Sequence, residues 1–449
     1  MISAARNKYL QTGLELIKIG WPIMLSSTGF MLMQLTDAFF LGHYSSTAIA
    51  AIGPAGMAVY LTAAFFQGTI GYTGTLVAHN YGAKRFAQMS RVAWQGIYLS
   101  IIFALCIAIC SPFLVKMFRL FGHSGEMLAL EESYYSIMLG VIICSMIGGA
   151  AGQFFIGQGK TKAVMCFQLC GQVINGILDY IFIFGHFGLP ALGICGAAYA
   201  SVIGATFTTT GILFLFWSPK IRREYNTWQA RGFDKEHFRT LIYYGAHTGV
   251  RFFVDALIWS GFMLFVGRLG TNETAATSIA FRLNYIILFP LFGLAEAVRI
   301  KVGQAKGACN NTKVRETTWV GLCVAEFVML CGVAIYLLFP REMYLLFAPD
   351  DSAMMQNYLI IMDVGKILLY YVAFYCLFDG LNLIFSTALQ GVGDTRWVMN
   401  ATVISHVIFF LLLLFVDRVY PNLYVEWGVI TIFVLILGLI WCSRFLSGK

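Results

Sequence analysis

Several stretches of this chain run far enough without charge to settle most of what it can become. Ile97 to Phe113, Val320 to Phe339 and Val403 to Val416 hold a single Asp, Glu, Lys or Arg between them, Glu326. A run of this kind can lie in hydrocarbon only if its backbone satisfies its own N–H and C=O groups, which an α-helix does within one segment. About 20 such residues cross a bilayer. Reading apolar blocks against polar punctuation predicts twelve helices, at 14–41, 48–79, 88–116, 128–156, 161–185, 193–217, 239–267, 274–304, 314–339, 354–391, 396–416 and 424–445. The expected fold class is therefore an all-α polytopic membrane protein.

Composition supports this: 59% of the 449 residues are apolar and 12% charged, against about 25% charged in soluble globular chains. Residues 1–18 carry Arg6, Lys8 and Lys18 and precede an apolar run with no cleavage pattern, so the first helix is expected to direct insertion itself. Eleven cysteines lie almost wholly within apolar segments and form no ligand spacing with His; they read as small packing residues. Of thirty Lys and Arg, twenty-one fall in segments on one side of the predicted membrane, Lys449 included. Five lie on the other (Lys116, Arg119, Arg268, Arg341, Arg418), and Arg251, Arg282, Arg299 and Lys366 lie within helices. This bias places both termini in the cytoplasm, in a cell (inner) membrane. It also accounts for the net charge of +8 without nucleic-acid binding.

The chain repeats itself. An offset of 225 residues pairs Gly20 with Gly245, Gly42 with Gly267, Gly82-Ala83 with Gly307-Ala308 and Trp94 with Trp319. An offset of 234 lays Gly157-Gln-Gly-Lys-Thr161 over Gly391-Val-Gly-Asp-Thr395. The first of these resembles the end of a phosphate-binding loop, yet that loop needs a glycine where Phe154 stands. The shared Gly-x-Gly-x-Thr reads instead as a tight turn and helix start, with Thr161 and Thr395 near the cap. Six helices per half give two parallel repeats, the plan of secondary transporters that rock two bundles around a central site. The expected layout is a two-lobed, V-shaped transporter: an N-lobe at 1–218, a cytoplasmic linker at 219–238 and a C-lobe at 239–449. The linker is basic, and reads equally as an amphipathic segment on anionic lipid or as a plain chain reversal.

These features resemble the multidrug and toxic compound extrusion (MATE) family over essentially the whole chain. The resemblance is carried by Trp21-Pro22, LTDAFFLGHYSSTAIAAIG (35–53), TLVAHNYGAKR (75–85), NGILDYIFIFGHFGLPALGICGAAYAS (175–201), VRIKVGQAKG (298–307) and LFDGLNLIFSTALQGVGDTRW (377–397). It implies an antiporter, not an enzyme, that exports amphipathic and often cationic organic compounds against entering Na+ or H+. No cofactor beyond that ion is implied, and the partners are small-molecule substrates and lipid, with a monomer expected.

Carboxylates inside membrane helices cost about 2.5–3.5 kcal/mol each and mark ion or substrate paths. Asp37 has no Lys or Arg near it in sequence, and Asn175 and Asp179 share one helix face. Asp37 reads as functional by itself, and Asn175 with Asp179 could offer an amide and a carboxylate to a proton, a hydrated ion or a cationic drug; the resemblance to the DinF-like branch implies that these two stand opposite Asp37 as a cation or proton coupling group. Resemblance to the NorM-like branch adds Asp255 and Asp379, and with them a Na+ site near Asp37, Asp255 and Asp379. At Asp255 that branch more often has Glu, and Arg251 one turn away offers a local ion pair instead. Tyr134 and Tyr135 are candidates for the substrate cavity, with lipid or helix packing as the other reading. Arg282 is expected to face that cavity or to pair with Asp255. Pro22 lacks a backbone donor and would let the first helix bend. The alternative function, a flippase for a lipid-linked precursor or polysaccharide, needs cations in the cavity, and a channel would need a filter or charge rings.

Overall fold

The computed structural model describes residues 2–120, 125–348 and 352–448; Lys449, counted above with the basic side, lies outside them. Twelve helices are long and apolar enough to cross a membrane, and no strand occurs among the described residues. They are α1 (Ile2–Tyr44), α2 (Ser46–Gly82), α3 (Phe86–Val115), α4 (Gly125–Gly157), α5 (Thr161–Phe184), α6 (Ile194–Trp217), α7 (Lys235–Leu269), α8 (Thr271–Gly307), α9 (Asn311–Leu338), α10 (Ser352–Val392), α11 (Thr395–Val419) and α12 (Leu423–Ser447). Short helices at Met117–Leu120, Pro219–Tyr225 and Pro340–Leu345 join them.

Local chemistry sets many of the ends. Ser45 accepts the Ala48 N–H at the start of α2, and Asn422 accepts those of Tyr424 and Val425 at the start of α12. Gly185, at φ 76°, closes α5 in the left-handed conformation. α1 begins well before residue 14, because its polar first turns find partners on α9: Lys8 Nζ lies 2.8 Å from Glu316, and Thr12 donates to the same carboxylate.

The chain forms two compact units. The first comprises Leu25–Phe253 with Gly303–Asn310, and the second Met1–Met24, Val254–Val302 and Asn311–Lys449. The boundaries fall inside α1, α7 and α8 and between α8 and α9. In the first unit α2, α3, α4 and α6 pack around Tyr72, Tyr135, Phe154 and Phe216, all fully buried. In the second, α9, α10 and α12 pack around Trp427, Trp441, Tyr375 and Phe385.

The linker is a strap bound to the first unit. α3 reaches it with side-chain donors that take up its backbone carbonyls: Ser90 to Tyr225, Trp94 to Thr227, Gln95 to Gly232, and Tyr98 to Arg231. Asp234 closes it by accepting the backbone N–H groups of Glu236 and His237, each at 3.1 Å, as the cap of α7. The His237 N–H holds the Asp234 carboxyl below the usual carboxylate range. The linker is thus neither a plain reversal nor a segment resting on lipid alone. Its carbonyls are used by the protein.

The repeat is visible as repeated hydrogen bonds. Gly159 and Lys160 donate to Ile156 and Phe155 at 2.8 and 2.9 Å, and 234 residues later Gly393 and Asp394 donate to Gln390 and Leu389 at 3.1 and 3.0 Å. Both glycines sit at positive φ, 80° and 98°. The cap position belongs to Lys160 and Asp394, and Thr161 and Thr395, both buried, stand next to it as the first helical residues. Lys160 Nζ is held by Tyr225 Oη at 2.6 Å, Asp394 by Arg444 Nε at 2.8 Å. The ends of α2 and α8 repeat likewise. A Cβ on Gly82 would fall on the Gln304 carbonyl, and one on Gly307 would fall on the His79 carbonyl. Two backbones meet there with no room for a side chain.

Candidate functional site

In the first unit, α1, α4 and α5 bring together Asp37, Tyr134, Asn175 and Asp179. All four are buried, Asp179 completely. The Asp37 and Asp179 carboxyl groups are neighbours, and Tyr134 lies beside both. With the Asn175 amide oxygen accepting from Ser201 Oγ and N–H, each at 3.2 Å, its nitrogen donates to Asp179 Oδ2 at 3.1 Å. Ser201 comes from α6, which approaches α5 closely at Gly171 and Gly204. Oδ1 of Asp37 and Oδ1 of Asp179 have no hydrogen-bond partner. Among the described residues no Lys or Arg pairs with either carboxylate. One turn further along, Phe40, Tyr180 and Phe184 form an aromatic wall with centroids 5.9–6.0 Å apart. Charge pattern alone could not have found it.

Tyr135 packs among helices, the second of the two readings given for it. Its hydroxyl meets Thr62 Oγ1 at 2.8 Å and its ring packs edge-on against Phe118. Adjacent positions on α4 point to different sides, and Tyr135 is a core residue of the first unit.

In the second unit Asp255 meets His406 of α11 rather than Arg282, with Oδ1 2.8 Å from Nε2. Arg282 is exposed and, among the described residues, pairs with no carboxylate; α8 turns its neighbours Phe281 and Leu283 inward and residue 282 outward. His406 Nδ1 lies 2.7 Å from the Thr402 carbonyl, which can only accept, so Nδ1 carries hydrogen. The contact of Nε2 with Asp255 then needs a second proton, on the ring or on the carboxyl. His406 was missed in the sequence; its signal is a lone polar ring in the run from Val403 to Val416. We expect His406→Ala to remove this contact and lower stability by about 1–3 kcal/mol, the cost of a lost partner at a partly buried polar group, the Asp255 side chain being 31% exposed. The apparent melting temperature should fall in His406→Ala and recover in part in the double variant with Asp255→Asn, a non-additivity that marks the contact.

Asp379 on α10 accepts from Asn382 Nδ2 at 3.5 Å, and Asn382 Oδ1 in turn accepts from Trp441 Nε1 at 2.7 Å. Glu326 of α9 lies beside Asp379 and against Gly380. This second acidic pair was half seen: Asp379 stood out by its motif, whereas Glu326 was simply the one charge in its run. Among the described residues no group of three or more His, Cys, Asp or Glu could hold a metal ion. Pro22 lies inside α1, just before the point where that helix passes from one compact unit to the other.

A family model described as MatE matches the chain twice, over residues 22–181 and 252–415. The chain is 28% identical over 387 residues to a probable multidrug resistance protein NorM of Pseudomonas putida, covering 85% of this chain and 82% of the relative. It is 24% identical over 406 residues to the multidrug resistance protein NorM of Burkholderia vietnamiensis, covering 90% and 87%. Its fold is similar to that of an outward-facing multidrug resistance MATE family transporter of the MOP superfamily, with a TM-score of 0.85, 21% identity and coverage of 97% and 96%.

Proposed function

This chain belongs to the MATE family of multidrug efflux transporters, and from that premise we propose that it exports cationic amphipathic compounds in exchange for entering protons, with Asp37 and Asp179 as the exchanging pair. The observation that carries this is two buried carboxyl groups side by side with, among the described residues, no Lys or Arg paired to either. Asn175 orients Asp179, and Tyr134 with the aromatic wall supplies π faces that attract an organic cation. A proton and a cationic substrate would then compete for one negative site, and the difference in their preference for two states of the protein supplies the coupling. Pro22 is the proposed place of bending in α1. The basic side fixed by the Lys and Arg bias is proposed as cytoplasmic, in the cell's inner membrane.

The flippase reading needs free cations to hold phosphate. Arg299 is tied to Glu296 and Lys366 to Asp363, which takes two of the four helix cations away from that alternative.

The test is flux in sealed vesicles holding a fluorescent organic cation. An imposed pH difference with sodium withheld should drive export. Export that follows a sodium gradient at fixed pH and ignores the pH difference would shift the coupling to Asp379 and Glu326 in the second unit.

A further inference from the structure

The second unit carries a groove of about 830 Å³ between the start of α1 and the start of α9, far from the carboxyl pairs in sequence. Its wall is apolar, with Leu14 and Phe327 well exposed, and both flanking helices are membrane spans, so the groove opens toward lipid tails. One end is different. There Lys8, Thr312 and Arg315 line it beside Glu316, whose carboxylate is already taken by Lys8 at 2.8 Å and Lys313 at 2.9 Å. Glu316 thus already serves two lysines, and among the described residues Arg315 pairs with no carboxylate. Such an arrangement repels a cationic amphiphile and attracts an anionic one. We propose that this groove is a binding site for one anionic phospholipid, its phosphate at Arg315 and Lys8 and an acyl chain laid along Gly13, Leu14 and Phe327. The planar guanidinium suits a bidentate phosphate contact. Gly13 leaves the floor open, since a Cβ there would meet only Val320 at ordinary contact distance, 3.5 Å. The site is independent of the transport chemistry proposed above.

The experiment is native mass spectrometry of the full-length protein, stripped of lipid in detergent and titrated with phosphatidylglycerol or phosphatidylcholine of the same acyl chains. One phosphatidylglycerol per chain should be retained under conditions that remove phosphatidylcholine. Arg315→Gln should weaken that retention about fivefold, the worth of one basic residue at an anionic surface. Gly13→Leu should remove both lipids by filling the floor, while gel-filtration profiles stay native. Equal retention of the two lipids, or unchanged retention in Arg315→Gln, would overturn the proposal. So would displacement of the phosphatidylglycerol by a cationic dye at equal concentration, which would make the groove a substrate site.

Discussion

Asp179→Asn is expected to reduce proton-driven export in sealed vesicles by roughly tenfold or more, to the level of passive leak, because a site that binds no proton lends the gradient no difference in affinity to act through. The amide keeps the size of the carboxyl and can still meet Asp37 and Asn175, so folding and membrane insertion should be unaffected. Asp37→Asn should give the same loss, since either substitution removes one of the two adjacent carboxyl groups of the proposed exchanging pair. Substrate binding measured without a gradient separates roles: it should persist, weakened, in both variants, because Tyr134 and the aromatic wall remain. Full gradient-driven export in either variant would remove the pair from the mechanism.

The second large effect is structural. Gly307→Ala and Gly82→Ala each place a methyl group on a backbone carbonyl of the facing helix, His79 or Gln304. A backbone carbonyl cannot rotate aside as a side chain can, so the helices must part. Overpacking of this kind costs about 1–3 kcal/mol or more. Both variants should lower yield and apparent melting temperature. Gly149→Ala is the contrast, since nothing lies within 4 Å of its Cβ. There the better helix propensity of alanine, about 1 kcal/mol, should leave the protein equally or more stable. Equal behaviour of all three would mean the close approach of α2 and α8 does not bear on stability.

These two results differ in how far they could be read from the chain. The twelve helices follow from runs that leave the backbone no other choice, and the repeat follows from glycines such as Gly82 and Gly307. Asp37, Asn175 and Asp179 were legible because a carboxylate in an apolar run is costly, and a cost implies a use. Their meeting was not written in spacing, since α1 and α5 lie far apart in sequence. Glu326 and His406 escaped for a similar reason. Each is a lone polar residue whose partner, Asp379 or Asp255, arrives from another helix. The linker escaped differently. Its basic residues suggested lipid, whereas what fixes it is its carbonyls, taken up by Ser90, Trp94 and Gln95 more than a hundred residues earlier. Side-chain charge can be read from a sequence. The use of a backbone carbonyl cannot.

One helix crossing occurs in both copies of the repeat with different contents. In the first unit α5 meets α1 through Gln172, whose amide donates to the Ser26 carbonyl at 3.1 Å. At the offset of 234 residues the same place on α11 is His406, which meets α7 through Asp255 at 2.8 Å. Duplication thus kept the crossing and changed its fastening: a side chain on a backbone carbonyl in one copy, two side chains on each other in the other. A backbone carbonyl survives any substitution of the residue that bears it, so the first joint depends on one side chain only. Its twin can be lost from either helix, and the two halves of one design therefore differ in how much of their sequence they must keep.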